Sequence, residues 1–193
     1  EQVRRASQML RFLSLVPVEY ARGVSGGRVT IDLEIREAIS FRDAAEAAFT
    51  DLRPLVETSH PEGIAAAAAL FDDLQANLAA ASAQEQVADP DVLRATTEQL
   101  LQSLRAVMPA EWNRKDSNAD FDVITATLDQ MERAVAAGDY KTAESARLEA
   151  YAILESGPEA RLVAFAPQHV APIEELFWYG QGEHPGLAFL ISR

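Results

Sequence analysis

The sequence contains no cysteine, and this absence excludes disulfides, zinc fingers and iron–sulfur clusters. It also has no run of about 18 apolar residues, so no segment is predicted to cross a bilayer. Nine glycines and nine prolines in 193 residues are too few for a disordered or β-rich chain. The missing cysteine is compatible with any compartment and does not locate the protein.

Basic residues are scarce as well. Seventeen Lys and Arg face 30 Asp and Glu, and the formal net charge is −13. Such a surface repels nucleic-acid phosphates, so we expect no nucleic-acid partner. It attracts cations and cationic partners, although an acidic surface also serves solubility alone.

Residues that favour helices dominate the chain, and the apolar side chains recur at helical spacing almost throughout. We therefore predict an all-α fold, an antiparallel bundle of about six main helices plus short C-terminal helices, forming a single domain over residues 1–193. Pro17 is expected to end the first helix. The predicted main helices cover residues 2–16, about 32–56 with Thr30 or Asp32 as the cap, 60–82, 90–108, 121–135 and 140–155. A polar loop is predicted over 109–118, and short helices over 159–165 and 170–179.

Several charged residues fall on helix faces that should be apolar. Glu34 and Arg42 lie inside the apolar sector of the second helix, and Glu37 lies at its edge, one turn from Glu34. In the sixth helix Arg147 shares the apolar sector with Tyr151. A carboxylate in such a position is costly unless it is paired or binds a metal.

If the second and sixth helices face each other, these side chains form one cluster. It would contain Glu34, Glu37, Arg42, Glu144, Arg147 and Tyr151, with Glu155 beside it. One interpretation is a structural ion-pair network in which Glu34 pairs with Arg42 or Arg147. The other is an oxygen-rich metal site, because carboxylate and phenolate oxygens suit hard cations.

The sequence carries no sign of an enzyme. It has three histidines, and none makes the Glu-x-x-His pair of di-iron bundles, which argues against a ferritin-like oxidase. No nucleophile elbow, phosphate-binding loop or dinucleotide fingerprint is present. Glu19 and Tyr20 lie in the connector predicted after Pro17, and connectors often carry functional residues.

Three segments resemble the extracytoplasmic N-terminal region of bacterial high-affinity, Ftr-type iron permeases. The first runs from the Val18-Glu19-Tyr20 turn through Ala21-Arg22-Gly23-Val24 to Glu34-x-x-Glu37-x-x-x-Phe41. The second is Gly138-Asp139-Tyr140 with Ala150-Tyr151, and the third is Ile173-Glu174-Glu175-Leu176-Phe177-Trp178. The hallmark Arg-Glu-x-x-Glu motif of the family's membrane helices is not met, because after Arg36-Glu37 the position of the second glutamate is occupied by Ser40.

The resemblance implies a non-enzymatic domain in the periplasm or on the outer face of the cell membrane. It would be attached to a membrane permease domain of the same full-length chain, and would bind, funnel or receive iron ions. A periplasmic iron-binding protein or an oxidase is the implied further partner. The expected iron ligands are Glu34 and Glu37, followed by Glu19, Tyr20, Glu144, Tyr151 and Glu155. The alternative is a docking module that binds no metal.

Overall fold

The computed structural model describes residues 2–113 and 120–191, and within them the fold is all-α, as predicted. The chain divides into two compact units, Glu1–Lys115 and Asp116–Arg193, each described here by itself. A single domain over 1–193 stays a prediction. The helices are α1 (Gln2–Gly23), α2 (Asp32–Val56), α3 (Pro61–Ser82), α4 (Pro90–Val107), α5 (Asp120–Ala136), α6 (Tyr140–Leu154), α7 (Ala160–Phe165), α8 (Val170–Trp178) and α9 (Leu187–Ile191).

The described residues contain four short strands, which form two antiparallel hairpins. Val24–Ser25 (β1) pairs with Arg28–Val29 (β2), and Gly180–Gln181 (β3) pairs with His184–Pro185 (β4). The predicted loop over 109–118 is described only as far as Asn113, where a 3₁₀ turn, Ala110–Asn113, buries Trp112. No helix of the described residues is both long enough and apolar enough to cross a membrane.

The first unit is a four-helix bundle. Its helix α1 packs against α2, α2 against α3, α3 against α4, and α4 against α1, so the four apolar faces enclose one core. Two stacked aromatic pairs fill this core: Phe12 with Phe41, whose ring centroids lie 6.0 Å apart, and Phe49 with Phe71, at 5.2 Å.

The first helix does not end at Pro17. It continues to Gly23, and the sequence prediction of a connector over 18–29 is wrong for its first half. Proline inside a helix costs roughly 3 kcal/mol, because it removes one hydrogen bond and crowds the preceding turn. Leu13, Val16 and Tyr20 are all fully buried, so the apolar stripe runs on past the proline, and its packing against α2 outweighs that cost.

The helix starts follow the predicted capping chemistry at some positions and depart from it at others. Asp89 accepts a hydrogen bond from the Asp91 backbone N–H at 2.9 Å, with Pro90 in the first turn of α4. At α2 the cap position is held by Ile31 without a side-chain bond, so the prediction of Thr30 or Asp32 is wrong. The backbone N–H of Thr30 instead donates to the Gly23 carbonyl at 2.8 Å.

The second unit is built on the antiparallel pair α5 and α6. Helix α9 packs against α6, and α8 packs against both α6 and α9. Met131, Ala143 and Ile191 are members of its apolar core. Gly157 and Pro158 end the α-helical hydrogen bonding of α6 as predicted, but the chain continues through a π-helical turn, Glu155–Glu159, into α7.

Asp139 caps α6, and its titration gives a pH-dependent test of this cap. Its carboxylate accepts from the Thr142 hydroxyl at 2.7 Å and from the Thr142 backbone N–H at 3.1 Å, and these bonds lower the pKa of Asp139. The stabilisation is therefore present above the pKa of the unfolded chain and is lost as pH falls through the folded pKa. We expect an NMR titration to show Asp139 ionising below the ordinary range, and Thr142→Val to raise its pKa. An unchanged pKa in this variant would contradict the capping role of the hydroxyl.

Candidate metal centre

Three carboxylates meet in the first unit, Glu19 from α1 and Glu34 and Glu37 from α2. One carboxylate oxygen of each lies within 4.8 Å of the other two. Glu19 is fully buried and Glu37 is 3% exposed, whereas Glu34 is half-buried. In the part of the chain that the structure describes, this is the one group of three or more acidic or histidine side chains close enough to hold a metal ion.

The local sequence explains why the three glutamates converge. Glu34 and Glu37 are three residues apart and therefore neighbours on one side of α2. The β1–β2 hairpin reverses the chain directly after α1, so the last turn of α1, which holds Glu19, lies beside the first turn of α2.

Gly23 permits the close approach of these two helix ends. A Cβ atom at this position would lie 2.8 Å from Ile35 Cδ1, 3.1 Å from Glu34 Cβ and 3.2 Å from the Ile31 carbonyl oxygen. A Cβ atom here would require the Ile35 side chain to turn and the start of α2, which carries Glu34, to give by a few tenths of an ångström.

One arginine already contacts the centre. The Arg22 Nη1 atom donates to both Glu19 carboxylate oxygens, at 3.1 and 3.2 Å. The Arg22 side chain is 42% exposed, so its guanidinium reaches inward from the surface. Three carboxylates at one place give a negative local field that attracts cations, and Arg22 offsets part of it.

Glu37 is buried more deeply than the helical wheel indicated. The wheel placed Glu34 inside the apolar sector and Glu37 at its edge, and the structure shows the reverse order of exposure. The wheel describes α2 alone, whereas the burial of Glu37 depends on where the neighbouring helices pack. The prediction that the first helix ends at Pro17 puts Glu19 in a connector, and this is wrong because α1 continues to Gly23. Its continued helical spacing from Phe12 and Val16 was the available signal for burial.

Tyr20 is fully buried, and its hydroxyl donates a hydrogen bond to the Ala88 carbonyl at 2.9 Å. Burial raises the pKa of Tyr20, and the charge of Asp89 raises the pKa further. A raised pKa disfavours the phenolate that a hard cation would require. Tyr20 as a ligand stays a prediction, and we leave it out of the proposal below.

The remaining predicted ligands belong to the second unit. Both Glu144 oxygens accept from Arg147, each at 2.8 Å. The ring of Tyr151 packs against Phe177 and Trp178, with centroids 5.4 and 5.5 Å away. Glu155 lies in the π-helical turn and is 7% exposed. Helices α2 and α6 belong to different units, and Glu19 joins the Glu34–Glu37 pair within the first unit. The cluster of these glutamates with Glu144, Arg147 and Tyr151 stays a prediction.

Arg42 does not pair with Glu34, as one interpretation of the sequence proposed, and a pairing of Glu34 with Arg147 stays a prediction. Arg42, 3% exposed, donates to Glu46 at 2.7 and 3.1 Å, and also to the Phe71 carbonyl at 3.1 Å. Its guanidinium therefore contacts α3 and the next turn of α2. The position of Glu46, four residues after Arg42 on the same helix, was the sequence feature that could have indicated this pairing. Arg147 is held by Glu144 within its own helix.

The fold and this centre define the first unit as a four-helix bundle with an acidic cluster at one end of its α1–α2 pair. Compared with known families, the chain matches the iron permease-associated 4-helix bundle domain over residues 1–111, which is more than half of its length. The chain belongs to this family, and the resemblance seen in the sequence is confirmed. The match includes all of the carboxylate centre. No curated protein and no solved structure matches the chain.

Proposed function

We propose that the first unit is an extracytoplasmic iron-binding domain of an iron permease, with Glu19, Glu34 and Glu37 as the ligands. The observation that carries the proposal is the convergence of three carboxylates, two of them buried, in a chain of an iron permease-associated family. Carboxylate oxygens are hard ligands that suit iron ions as cargo. The domain would be non-enzymatic and would pass iron to the membrane permease part of the same full-length chain.

The difference in exposure among the three glutamates gives the binding an order. Half-buried Glu34 would meet the incoming ion first, and the buried Glu19 and Glu37 would then complete its coordination. The guanidinium of Arg22 would leave Glu19 as the ion enters, because two cations cannot share this carboxylate without repulsion. Its exposed side chain has room to turn toward solvent. A periplasmic iron-binding protein or an oxidase would supply the ion.

Metal titration of the 193-residue chain tests the ligands. We expect Fe²⁺, added without oxygen and followed by calorimetry, to bind wild type, and Glu34→Gln and Glu37→Gln to weaken binding by at least about tenfold each. Glutamine keeps the side-chain shape and removes the charge. The control is Glu98→Gln, an exposed glutamate on α4 in the same unit, which should bind as wild type does. Equal affinity in all four proteins, or no binding by wild type, would remove the assignment.

The Arg22–Glu19 ion pair favours the alternative function, a docking module without metal. The variant Arg22→Gln distinguishes between iron binding and docking without metal. If the pair is a displaceable counter-ion, the variant binds Fe²⁺ more tightly, because no cation must be expelled from Glu19. If the pair only stabilises the end of α1, in which both residues lie, the variant unfolds more easily and shows no gain in affinity.

Gly23→Ala should weaken iron binding although it changes no carboxylate. The added methyl group would lie 3.1 Å from Glu34 Cβ and 3.2 Å from the Ile31 carbonyl oxygen, and we expect the first turn of α2 to shift by a few tenths of an ångström and move Glu34 away from Glu19. We expect about a tenfold loss of affinity in the same titration. Gly26→Asn is the matched control, since this hairpin position has a φ of +58°, which asparagine tolerates, and has no atom within 4 Å of a Cβ. Equal losses in both variants would contradict the packing argument.

A further inference from the structure

The aromatic residues of the two units differ sharply in exposure. All six aromatic side chains among the described residues of the first unit are buried: Phe12, Tyr20, Phe41, Phe49, Phe71 and Trp112. In the second unit, five of the eight are exposed: Phe121, Tyr140, Phe165, Tyr179 and Phe189. The second unit therefore leaves at its surface the side chains that the first unit uses for its core.

Three of these exposed aromatics lie in or directly after the last three helices. Phe165 at the end of α7 is 89% exposed, Tyr179 directly after α8 is 62% exposed, and Phe189 in α9 is 52% exposed. Three aliphatic residues of the same helices are also exposed. Helix α8 packs against α9, and both α7 and α8 contact the 3₁₀ turn Pro167–His169. The C-terminal apolar surface is defined as Val163, Phe165, Leu176, Tyr179, Phe189 and Leu190.

This part of the chain is also poor in charge. Residues 162–191 contain no lysine or arginine and three glutamates, Glu174, Glu175 and Glu183, whereas 24% of the whole chain is charged. Arg161 is the nearest basic residue in the sequence before this segment, and with three glutamates the segment is not built to attract an acidic protein or an anionic headgroup. A second copy would bring another net charge of −13, which opposes self-association.

We propose that the C-terminal apolar surface rests in the interfacial layer of a phospholipid bilayer. Six exposed apolar side chains are concentrated in or directly after three short helices, and such a concentration on a water-facing protein marks a binding surface. Tyrosine is enriched at the level of lipid headgroups, where an apolar ring and a polar tip are both satisfied, and Tyr179 is 62% exposed here. Membership of an iron permease-associated family supports a nearby membrane. The attachment uses apolar burial and no cations, so it is indifferent to acidic lipids.

Co-flotation of the full 193-residue chain with phosphatidylcholine vesicles, in metal-free buffer, tests the proposal. We expect wild type to float and the triple variant Phe165→Ser/Tyr179→Ser/Phe189→Ser to lose about tenfold or more in partitioning. The matched control is Val3→Ser/Leu55→Ser/Val92→Ser, which alters first-unit residues that are 42%, 52% and 51% exposed. This control should float as wild type does. Replacing part of the lipid by phosphatidylserine should leave binding unchanged or weaker.

Three results would overturn the proposal: no flotation of wild type, equal flotation of wild type and the triple variant, or binding that requires phosphatidylserine. Analytical ultracentrifugation of the same proteins gives a fourth. A dimer that the triple variant abolishes, without vesicle binding, would assign the surface to a second copy. Phe165→Ser alone covers the case in which the triple variant misfolds, since this side chain is 89% exposed. It should weaken partitioning with an unchanged circular dichroism spectrum.

Discussion

Replacing Arg147 by alanine is expected to destabilise the second unit by about 3 kcal/mol, the lower end for a broken buried ion pair, because its partner Glu144 is 41% exposed. The guanidinium is 1% exposed and lies 4.2 Å from the centroid of the Trp178 ring. It donates to Glu144 twice and to the Phe177 carbonyl at 3.2 Å. Alanine removes the ion pair, the ring contact and the link from α6 to the end of α8 together.

Urea unfolding followed by Trp178 fluorescence, in a Trp112→Phe background, measures this loss. Arg147→Lys should recover little of it, because an ammonium group cannot make the two parallel bonds to Glu144 or stack on the indole. Lys141→Ala, at an exposed position of the same helix, should change the free energy of unfolding by less than about 0.5 kcal/mol. A value for Arg147→Ala as small as that of Lys141→Ala would show that the guanidinium does not hold α8.

Replacing Phe71 by alanine is expected to lower the unfolding free energy of the first unit by about 4 kcal/mol. Phe71 is 1% exposed, and its ring centroid lies 5.2 Å from that of Phe49. The Arg42 guanidinium carbon lies 6.0 Å from the centroid of the Phe71 ring. The substitution therefore opens a cavity and removes both an aromatic contact and a cation–π contact.

The same substitution at Phe165 provides the control, since this phenylalanine is 89% exposed. Urea unfolding monitored by circular dichroism should give a change within about 0.5 kcal/mol for Phe165→Ala. Phe71→Leu, which keeps most of the volume, should fall between the two. Equal values for Phe71→Ala and Phe165→Ala would mean that the core around α2 and α3 does not depend on this ring.

The amino-acid pattern predicted most of the helices. Helices α3 and α4 begin at Pro61 and Pro90, and they end at Ser82 and Val107, within one residue of where the apolar spacing predicts. It also identified Glu34 and Glu37 as acidic residues on an inward face of α2. The resemblance of three segments identified the iron permease family. These features depend on residues close together in the chain, where helical periodicity fixes which side chains are neighbours.

The third carboxylate of the centre required the tertiary structure. Pro17 argues locally for a helix end, and only the packing of Val16 and Tyr20 on the rest of the bundle shows that α1 continues. That continuation carries Glu19 into the interior beside α2. The partner of Arg42 on α3, the Phe71 carbonyl, is likewise 29 residues away and could not be read from spacing.

The sequence by itself determined that this chain is helical, acidic and related to iron permease domains, because composition and short-range periodicity record those properties directly. Only the tertiary structure decided which charges meet, since the partner of a buried group is selected by packing between distant segments. For the same reason, the exposure of Phe165, Tyr179 and Phe189 could not be read from their apolar character, which would equally suit a core.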